Sequence, residues 1–105
     1  MNYFSMFSGI GGFELALNSL GHKCVGFSEI DPTAISIYKK HFPNEVNYGD
    51  ATTINSDKLP NFDLLVGGFP CQAFSIAGKR QGFEDTRGTL FFDIARIIKS
   101  KQPRY

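Results

Sequence analysis

Tyr3-Phe4-Ser5-Met6-Phe7-Ser8-Gly9-Ile10-Gly11-Gly12-Phe13 is the stretch whose reading decides the fold. Its first five residues are aromatic or apolar around one serine, a short β-prone run. The run ends at Ser8-Gly9-Ile10-Gly11-Gly12, where glycines permit a sharp change of direction. A helix is expected next, with Phe13, Leu15, Ala16, Leu17 and Leu20 spaced for one apolar side and Gly21 as its C-cap. Strand, glycine turn and helix in immediate succession form the first unit of an α/β fold.

The same grammar continues outward. Cys24-Val25-Gly26-Phe27-Ser28 reads as a second strand. Asp31-Pro32 is a helix start, with Asp as N-cap and Pro at the first helical position. That helix carries Ala34, Ile35, Ile37 and Tyr38 and is expected to end near His41-Phe42-Pro43. A weak strand is expected at Val46-Asn47-Tyr48, ending at Gly49-Asp50. Pro60-Asn61 turns into a further strand, Phe62 to Val66, which ends at Gly67-Gly68. Residues 69–88 read as a long polar, Gly-containing loop. Thr89 to Lys101 returns to helical period, with Leu90, Phe91, Ile94, Ile97 and Ile98 as its stripe. Short apolar strands alternating with helices predict a parallel, doubly wound α/β sheet.

In such a sheet ligands bind outside the carboxyl ends of the strands. The glycine turn, Glu29, Asp50 and Gly67-Gly68-Phe69-Pro70-Cys71 all fall at strand C-terminal ends, so they should share one rim. Gly9-x-Gly11-Gly12 lets a ligand approach the backbone at a helix N-terminus. Taken alone it is equally a tight turn with no ligand. It also lacks the third glycine of the dinucleotide fingerprint, since Leu15 stands near that place. Glu29 follows about 20 residues after the turn, where an acid can hold ribose hydroxyls; the alternative is a solvated acid or a helix-cap neighbour of Asp31, and the joint occurrence of turn and acid favours the ribose. Asp50 suits an adenine amine or, as readily, a Gly-Asp turn. Cys71 opens the loop beside Pro70, on the rim, whereas Cys24 sits within a strand as structural cysteines do. A thiol with a reference pKa of about 8.5 needs a partner to act as a nucleophile, and a lone free cysteine is commonly a small core residue. The loop after Cys71 carries Ser75, Lys79, Arg80, Arg87 and Thr89 among Gly78, Gly82 and Gly88. This composition fits a lid on a phosphate backbone, or a plain surface loop.

Bulk properties set the frame. The 105 residues are enough for one small domain, and 42% of them are hydrophobic, with 11 Phe. Net charge is only +1, but it is unevenly spread. Residues 1–70 hold four basic and seven acidic side chains, and residues 71–105 hold seven basic and three acidic. The basic C-terminal third matches a phosphate-facing surface or an ordinary solvated one. Cys24 and Cys71 form no C-x-x-C pair, so no structural zinc site, no other metal site and no disulfide framework is expected. No signal peptide, membrane-length apolar run, repeat or low-complexity tract stands out, and a cytoplasmic, reducing setting is expected.

Taken together, these stretches resemble the DNA cytosine-5 methyltransferases. Phe7-Ser8-Gly9-Ile10-Gly11-Gly12-Phe13 is similar to that family's cofactor motif, and Glu29-Ile30-Asp31 to the acidic motif after its second strand. Gly68-Phe69-Pro70-Cys71-Gln72-Ala73-Phe74-Ser75 resembles its catalytic loop. Gly82 to Phe92 resembles the stretch that closes that loop and enters the next helix. G-F-P-C-Q followed by G-x-L-F is far more specific than the glycine turn.

The resemblance implies a Rossmann-like, S-adenosylmethionine-dependent methyltransferase sheet, incomplete at its C-terminus, with residues 1–105 as the N-terminal part of the catalytic domain. It implies that Phe7 lies against adenine, with Gly9, Gly11 and Gly12 near the methionine moiety. Glu29 would hold the ribose and Asp50 the adenine amine, with Ile30, Ala51, Pro70 and Leu90 completing the pocket. Cys71 would attack C6 of a flipped cytosine in double-stranded DNA. Gln72, Ser75, Lys79, Arg80, Arg87 and Thr89 would be DNA contacts. Ile30 stands where many relatives have Trp, so packing there would be aliphatic. The family's Glu-Asn-Val motif, Gln-x-Arg-x-Arg strand, target-recognition domain and final helix have no counterpart up to Tyr105. The expectation is therefore a truncated chain or one subunit of a split enzyme, bacterial or phage-encoded, inactive alone and completed by a second chain if split. A nucleotide-binding module, such as an NAD-linked one, is disfavoured by the missing third glycine. An interaction fragment that keeps the fold without activity stays open. A cysteine hydrolase would need a His close to Cys71, and His22 and His41 belong to other segments.

Overall fold

The computed structural model describes residues 1–68 and 86–105. Strand β1 (Asn2–Met6) is followed by helix α1 (Gly12–Ser19), β2 (Lys23–Ser28), α2 (Pro32–His41), a 3-10 turn (Ser56–Lys58), β3 (Leu64–Gly67) and α3 (Thr86–Lys101). The strands form one parallel sheet in the order β2-β1-β3. β1 is therefore central, and the chain winds first to one side of it and then to the other. The crevice at the C-terminal ends of β1 and β3 is the point of reversal, where doubly wound sheets bind ligands. The α/β parallel architecture expected from the sequence is the one observed.

Local chemistry accounts for the element ends. Asp31 has extended backbone and its carboxylate accepts from Thr33 N, while Pro32 occupies the first turn of α2. Lys39, Lys40 and His41 complement the negative end of that helix. At the end of α1, Gly21 N donates to Asn18 O and His22 N to Leu17 O. Gly21 has φ of 87°, which completes the left-handed cap that only glycine adopts without cost.

Alternation along β1 gives the sheet two unlike faces. Phe4 and Met6 point into an apolar core with Ala51, Ile54, Leu59, Phe62 and Ile97. There Phe4 stacks on Phe62 with centroids 5.5 Å apart and tilts against Tyr48 at 5.6 Å. Arg96 of α3 ties this layer together by donating to Ile54 O (2.9 Å) and Ala51 O (3.0 Å). On the other face Tyr3 donates to Asn18 Oδ1 at 2.7 Å and Ser5 to Glu14 Oε1 at 3.2 Å, and Tyr38 of α2 stacks on Phe27 at 3.9 Å.

Three expectations need correction. The weak strand at Val46–Tyr48 is an isolated bridge between Phe27 and Asn47. Phe27 N donates to Val46 O and Tyr48 N to Phe27 O, after which Gly49, with φ of 83°, turns the chain away before a second pair can form. The apolar side of α1 does not face the sheet: Phe13 is 42% exposed, Leu15 71% and Leu20 73%, whereas Glu14 is fully buried. The glycine turn sets the rotation of this short helix, and the Ser5 hydroxyl is what meets its inner side. The last helix begins at Thr86, three residues before the apolar stripe suggested.

Candidate functional site

The rim of the sheet is assembled from three segments. The first is the turn after β1. Phe7 takes a left-handed φ of 51°, a conformation that costs a bulky residue about 1–2 kcal/mol and that neighbouring contacts must hold. Those contacts are backbone hydrogen bonds: Ser8 N to Ser28 O at 3.2 Å, Gly11 N to Ser8 O at 3.1 Å, and Gly68 N to Met6 O at 3.2 Å. Gly11 precedes α1 with φ of 98°, and a Cβ there would lie 2.6 Å from Phe42 Cε2. Only glycine satisfies both conditions.

A cavity of about 480 Å³ opens beside this turn, lined by Phe7, Ser8, Ile10, Gly12, Phe13, Ala16 and Gly68. It lies where β1 and β3 end, and its size falls within the roughly 300–1,000 Å³ of small-molecule sites. Open space surrounds the position a Cβ would take at Gly12. A second, apolar cleft of about 250 Å³ between β3 and α3 is lined by Met6, Leu65, Ile94, Ile98 and Tyr105 among others, and among the described residues no acidic or basic side chain lines it.

The second segment follows β2. Glu29 Oε1 accepts from Gly9 N at 2.8 Å, joining the acid to the glycine turn. Its Oε2 accepts from Ile30 N (3.1 Å) and Asp31 N (3.0 Å). Three backbone donors fix the orientation of this carboxylate at the end of β2. Ile30 beside it is 65% exposed.

The third segment is the loop from Asn47 to Ile54. Asp50 Oδ1 accepts from Thr52 N (2.9 Å) and Thr52 Oγ1 (2.8 Å), so Asp50 does form the turn that its Gly-Asp pattern suggested. Ala51 is only 3% exposed and belongs to the apolar core, with its carbonyl bonded to Arg96. Asn47 carries no motif signal, yet it joins this segment to the second. Its Oδ1 accepts from Glu29 N (3.2 Å) and Gly49 N (2.8 Å), and its Nδ2 donates to Glu29 O at 3.1 Å. Ser28 Oγ donates to Gly49 O at 2.6 Å.

The structure thus brings Phe7, Gly9, Gly11, Gly12, Glu29 and Asp50 to one rim, with Ile30 at its exposed margin. Pro70, Cys71, Gln72, Ser75, Lys79 and Arg80 lie outside the described residues, and so do the side chains of Arg87, Thr89 and Leu90 in the first turns of α3. The other cysteine, Cys24, is buried within β2 and its thiol donates to Gly26 O at 3.4 Å. Burial pushes it up to about 12, which makes it a structural thiol. Among the described residues, no group of three or more His, Cys, Asp or Glu gathers as a metal site would require. Among the same residues, no helix is long and apolar enough to cross a membrane.

The family model of the C-5 cytosine-specific DNA methylases matches residues 1–105. The type II methyltransferase M.NlaIV of Neisseria lactamica is 54% identical, over 99% of this chain and 26% of its own length. The orphan methyltransferase M.Rho11sI of Bacillus phage rho11s is 57% identical, over 96% of this chain and 21% of its own. The chain therefore spans about a quarter of the length of these curated relatives. A prophage-encoded DNA modification methyltransferase from E. coli superimposes with a TM-score of 0.80 at 28% identity, over 98% of this chain and 30% of that one. With a match that covers all of its residues, this chain belongs to the C-5 cytosine-specific DNA methylase family.

Proposed function

We propose that this chain supplies the cofactor-binding rim and the nucleophile of an S-adenosylmethionine-dependent DNA cytosine-5 methyltransferase. The hydrogen bond from Gly9 N to Glu29 Oε1, at 2.8 Å, carries the reading. It fixes a carboxylate against a glycine turn at the helix N-terminus, beside a cavity at the point of strand reversal. That combination fits a nucleoside with a short charged tail. Glu29 accepts from the ribose hydroxyls, and Asp50 lies one turn further for the base. Phe7 and Ile30 supply apolar surface, with Pro70 and Leu90 closing the pocket. The backbone N–H groups at the start of α1 meet the carboxylate of the methionine moiety. When bound, the cofactor supplies an electrophilic methyl group on a sulfonium.

The chemistry on the DNA side belongs to the loop after β3. The target cytosine leaves the stack, because C5 and C6 are inaccessible within it. The Cys71 thiolate bonds to C6, and the electron pair displaced from the C5–C6 double bond makes C5 nucleophilic. After C5 takes the methyl group, loss of its proton restores the double bond and expels Cys71. Gln72, Ser75, Lys79, Arg80, Arg87 and Thr89 hold the strand and its phosphates. The substrate is double-stranded DNA, and the setting is the cytoplasm of a bacterial or phage-infected cell. Residues 1–105 span about a quarter of the length of the curated relatives, and alone they are expected not to turn over.

Two measurements test this. Calorimetric titration with S-adenosylhomocysteine should give saturable binding that weakens about tenfold or more in Glu29→Ala, in line with the loss of charge-assisted hydrogen bonds. Equal affinity in the variant would remove Glu29 from the cofactor site. With the full-length enzyme and S-adenosylmethionine, duplex DNA carrying 5-fluorocytosine should trap a covalent complex, because fluorine cannot leave C5 as the proton does. A trapped complex formed equally well by Cys71→Ser would sink the nucleophile assignment.

A further inference from the structure

We infer that Asn47 is a positioning residue for the cofactor, setting both acidic groups of the rim from a single side-chain amide. The inference rests on the cofactor reading of that rim. It starts from the use of the amide: both of its heteroatoms are engaged. Nδ2 donates to Glu29 O (3.1 Å), while Oδ1 accepts from Glu29 N (3.2 Å) and from Gly49 N (2.8 Å). Asn47 therefore grips the two backbone groups of Glu29 and, with the same oxygen, the residue preceding Asp50. Gly49 is held from its other side by Ser28 Oγ at 2.6 Å.

The backbone alone cannot do this. Beyond Ser28 the ladder of β2 has ended, and the partner segment contributes only the single Phe27–Asn47 bridge. Glu29 therefore lies one step past the last backbone pairing on that side, where an acid would otherwise swing with its loop. Asn47 continues the pairing with its side chain in place of a strand. The Glu29 carboxylate in turn carries the constraint to Gly9 at 2.8 Å. The path runs from the glycine turn through Glu29 and Asn47 to the Asp50 turn, and Asn47 is the only side chain in the described residues that bonds to both Glu29 and Gly49. An Ala at this position removes three hydrogen bonds and lets the two acids move independently. An Asp keeps the acceptor, loses the donor, and sets a like charge beside Glu29.

Steady-state methylation by the full-length enzyme, with S-adenosylmethionine varied, tests the inference. Asn47→Ala should raise KM for the cofactor about tenfold, while kcat at saturating cofactor and KM for DNA stay within about twofold, since the side chain touches no reacting atom. In a Glu29→Ala background the same substitution should cost less than about threefold, because one of the two groups it positions is gone. Asn55→Ala serves as a control for general loop damage: Asn55 caps the 3-10 turn through Asp57 N and takes no part in the hydrogen bonds that join Gly9, Glu29 and Gly49. It should leave the cofactor KM unchanged. If Asn47→Ala does not fold, Asn47→Ser, which puts one hydroxyl in place of the amide, should show a smaller rise in KM with the same dependence on Glu29. A full, additive effect of Asn47→Ala without Glu29, an equal fall in kcat, or an unchanged KM would each overturn the inference. An enzyme whose cofactor KM is also indifferent to Glu29→Ala would overturn the cofactor reading itself, and with it this inference.

Discussion

The two faces of one small sheet are built from opposite materials. Behind Phe4 and Met6 the chain packs Ala51, Ile54, Leu59, Phe62 and Ile97 into an apolar cluster. Behind Tyr3 and Ser5 it places Glu14, Asn18, Cys24 and Tyr38, a layer with a buried carboxyl and two buried phenols. Glu14 Oε2 and the Tyr38 hydroxyl are buried without a hydrogen-bond partner among the described residues. Burial pushes the Glu14 carboxyl up, and the nearby Tyr38 hydroxyl pulls it back in part without closing a hydrogen bond to it. Burial raises both the Tyr3 and Tyr38 phenols. One face is held by area removed from water, the other by a few directional contacts that also fix the rotation of α1 and so the glycine turn. Stability should therefore be concentrated on the first face, and sensitivity to pH on the second.

The largest expected effect is on the apolar face. Phe4→Ala should cost about 3–5 kcal/mol in urea denaturation, the range for emptying a fully buried aromatic site. A loss below about 1 kcal/mol would show that the apolar face does not dominate, and the contrast would fail. Next comes the turn that both faces meet. Gly11→Ala forces an L side chain to φ of 98° and against the Phe42 ring, a strain of about 1–3 kcal/mol. It should also weaken S-adenosylhomocysteine binding, and a variant with unchanged melting temperature and affinity would free the turn from its assigned constraint.

The smallest effect, and the sharpest on the contrast, is at Glu14. Its carboxyl binds a proton more tightly folded than unfolded, where the ordinary value is 4.5. Its contribution to stability is therefore complete below that value and is lost as pH rises through the elevated folded pKa. Glu14→Gln keeps a neutral side chain of the same shape. It should flatten the decline in melting temperature with rising pH above the ordinary carboxylate value, with stability at the acid end changed by no more than about 1 kcal/mol. An unaltered slope in the variant would move the pH response elsewhere in the molecule.

Much of this was legible in order along the chain, because the signals are local. An Asp-Pro pair caps a helix by its own side chain and ring, and Gly21 ends one by its own φ, so neighbours decide little. The rim was legible for a related reason: parallel strands joined by helices end on the same side, so the turns after β1 and β2, with Gly9 and Glu29, meet there. The family's loop motif around Cys71 was likewise plain from residue identity and spacing.

Other features had no local signature. Leu15 and Glu14 are adjacent, and helical spacing favoured the leucine for the interior. Only the rotation set by Gly11, together with Ser5 as a partner, put the carboxyl inside. Val46 to Tyr48 had the composition of a strand, but a ladder needs a second pair, and the turn at Gly49 removed it. Asn47 looked like one polar residue in a loop, and its worth lies in meeting Glu29 and Gly49 at once. The sequence by itself determined the three paired strands and the α-helices between and after them, the parallel winding and the family, since each follows from near-neighbour chemistry or chain connectivity. Only the tertiary structure decided which face of α1 is buried and which side chain joins the two acids, because burial and hydrogen bonding between segments distant in sequence exist only once those segments are packed.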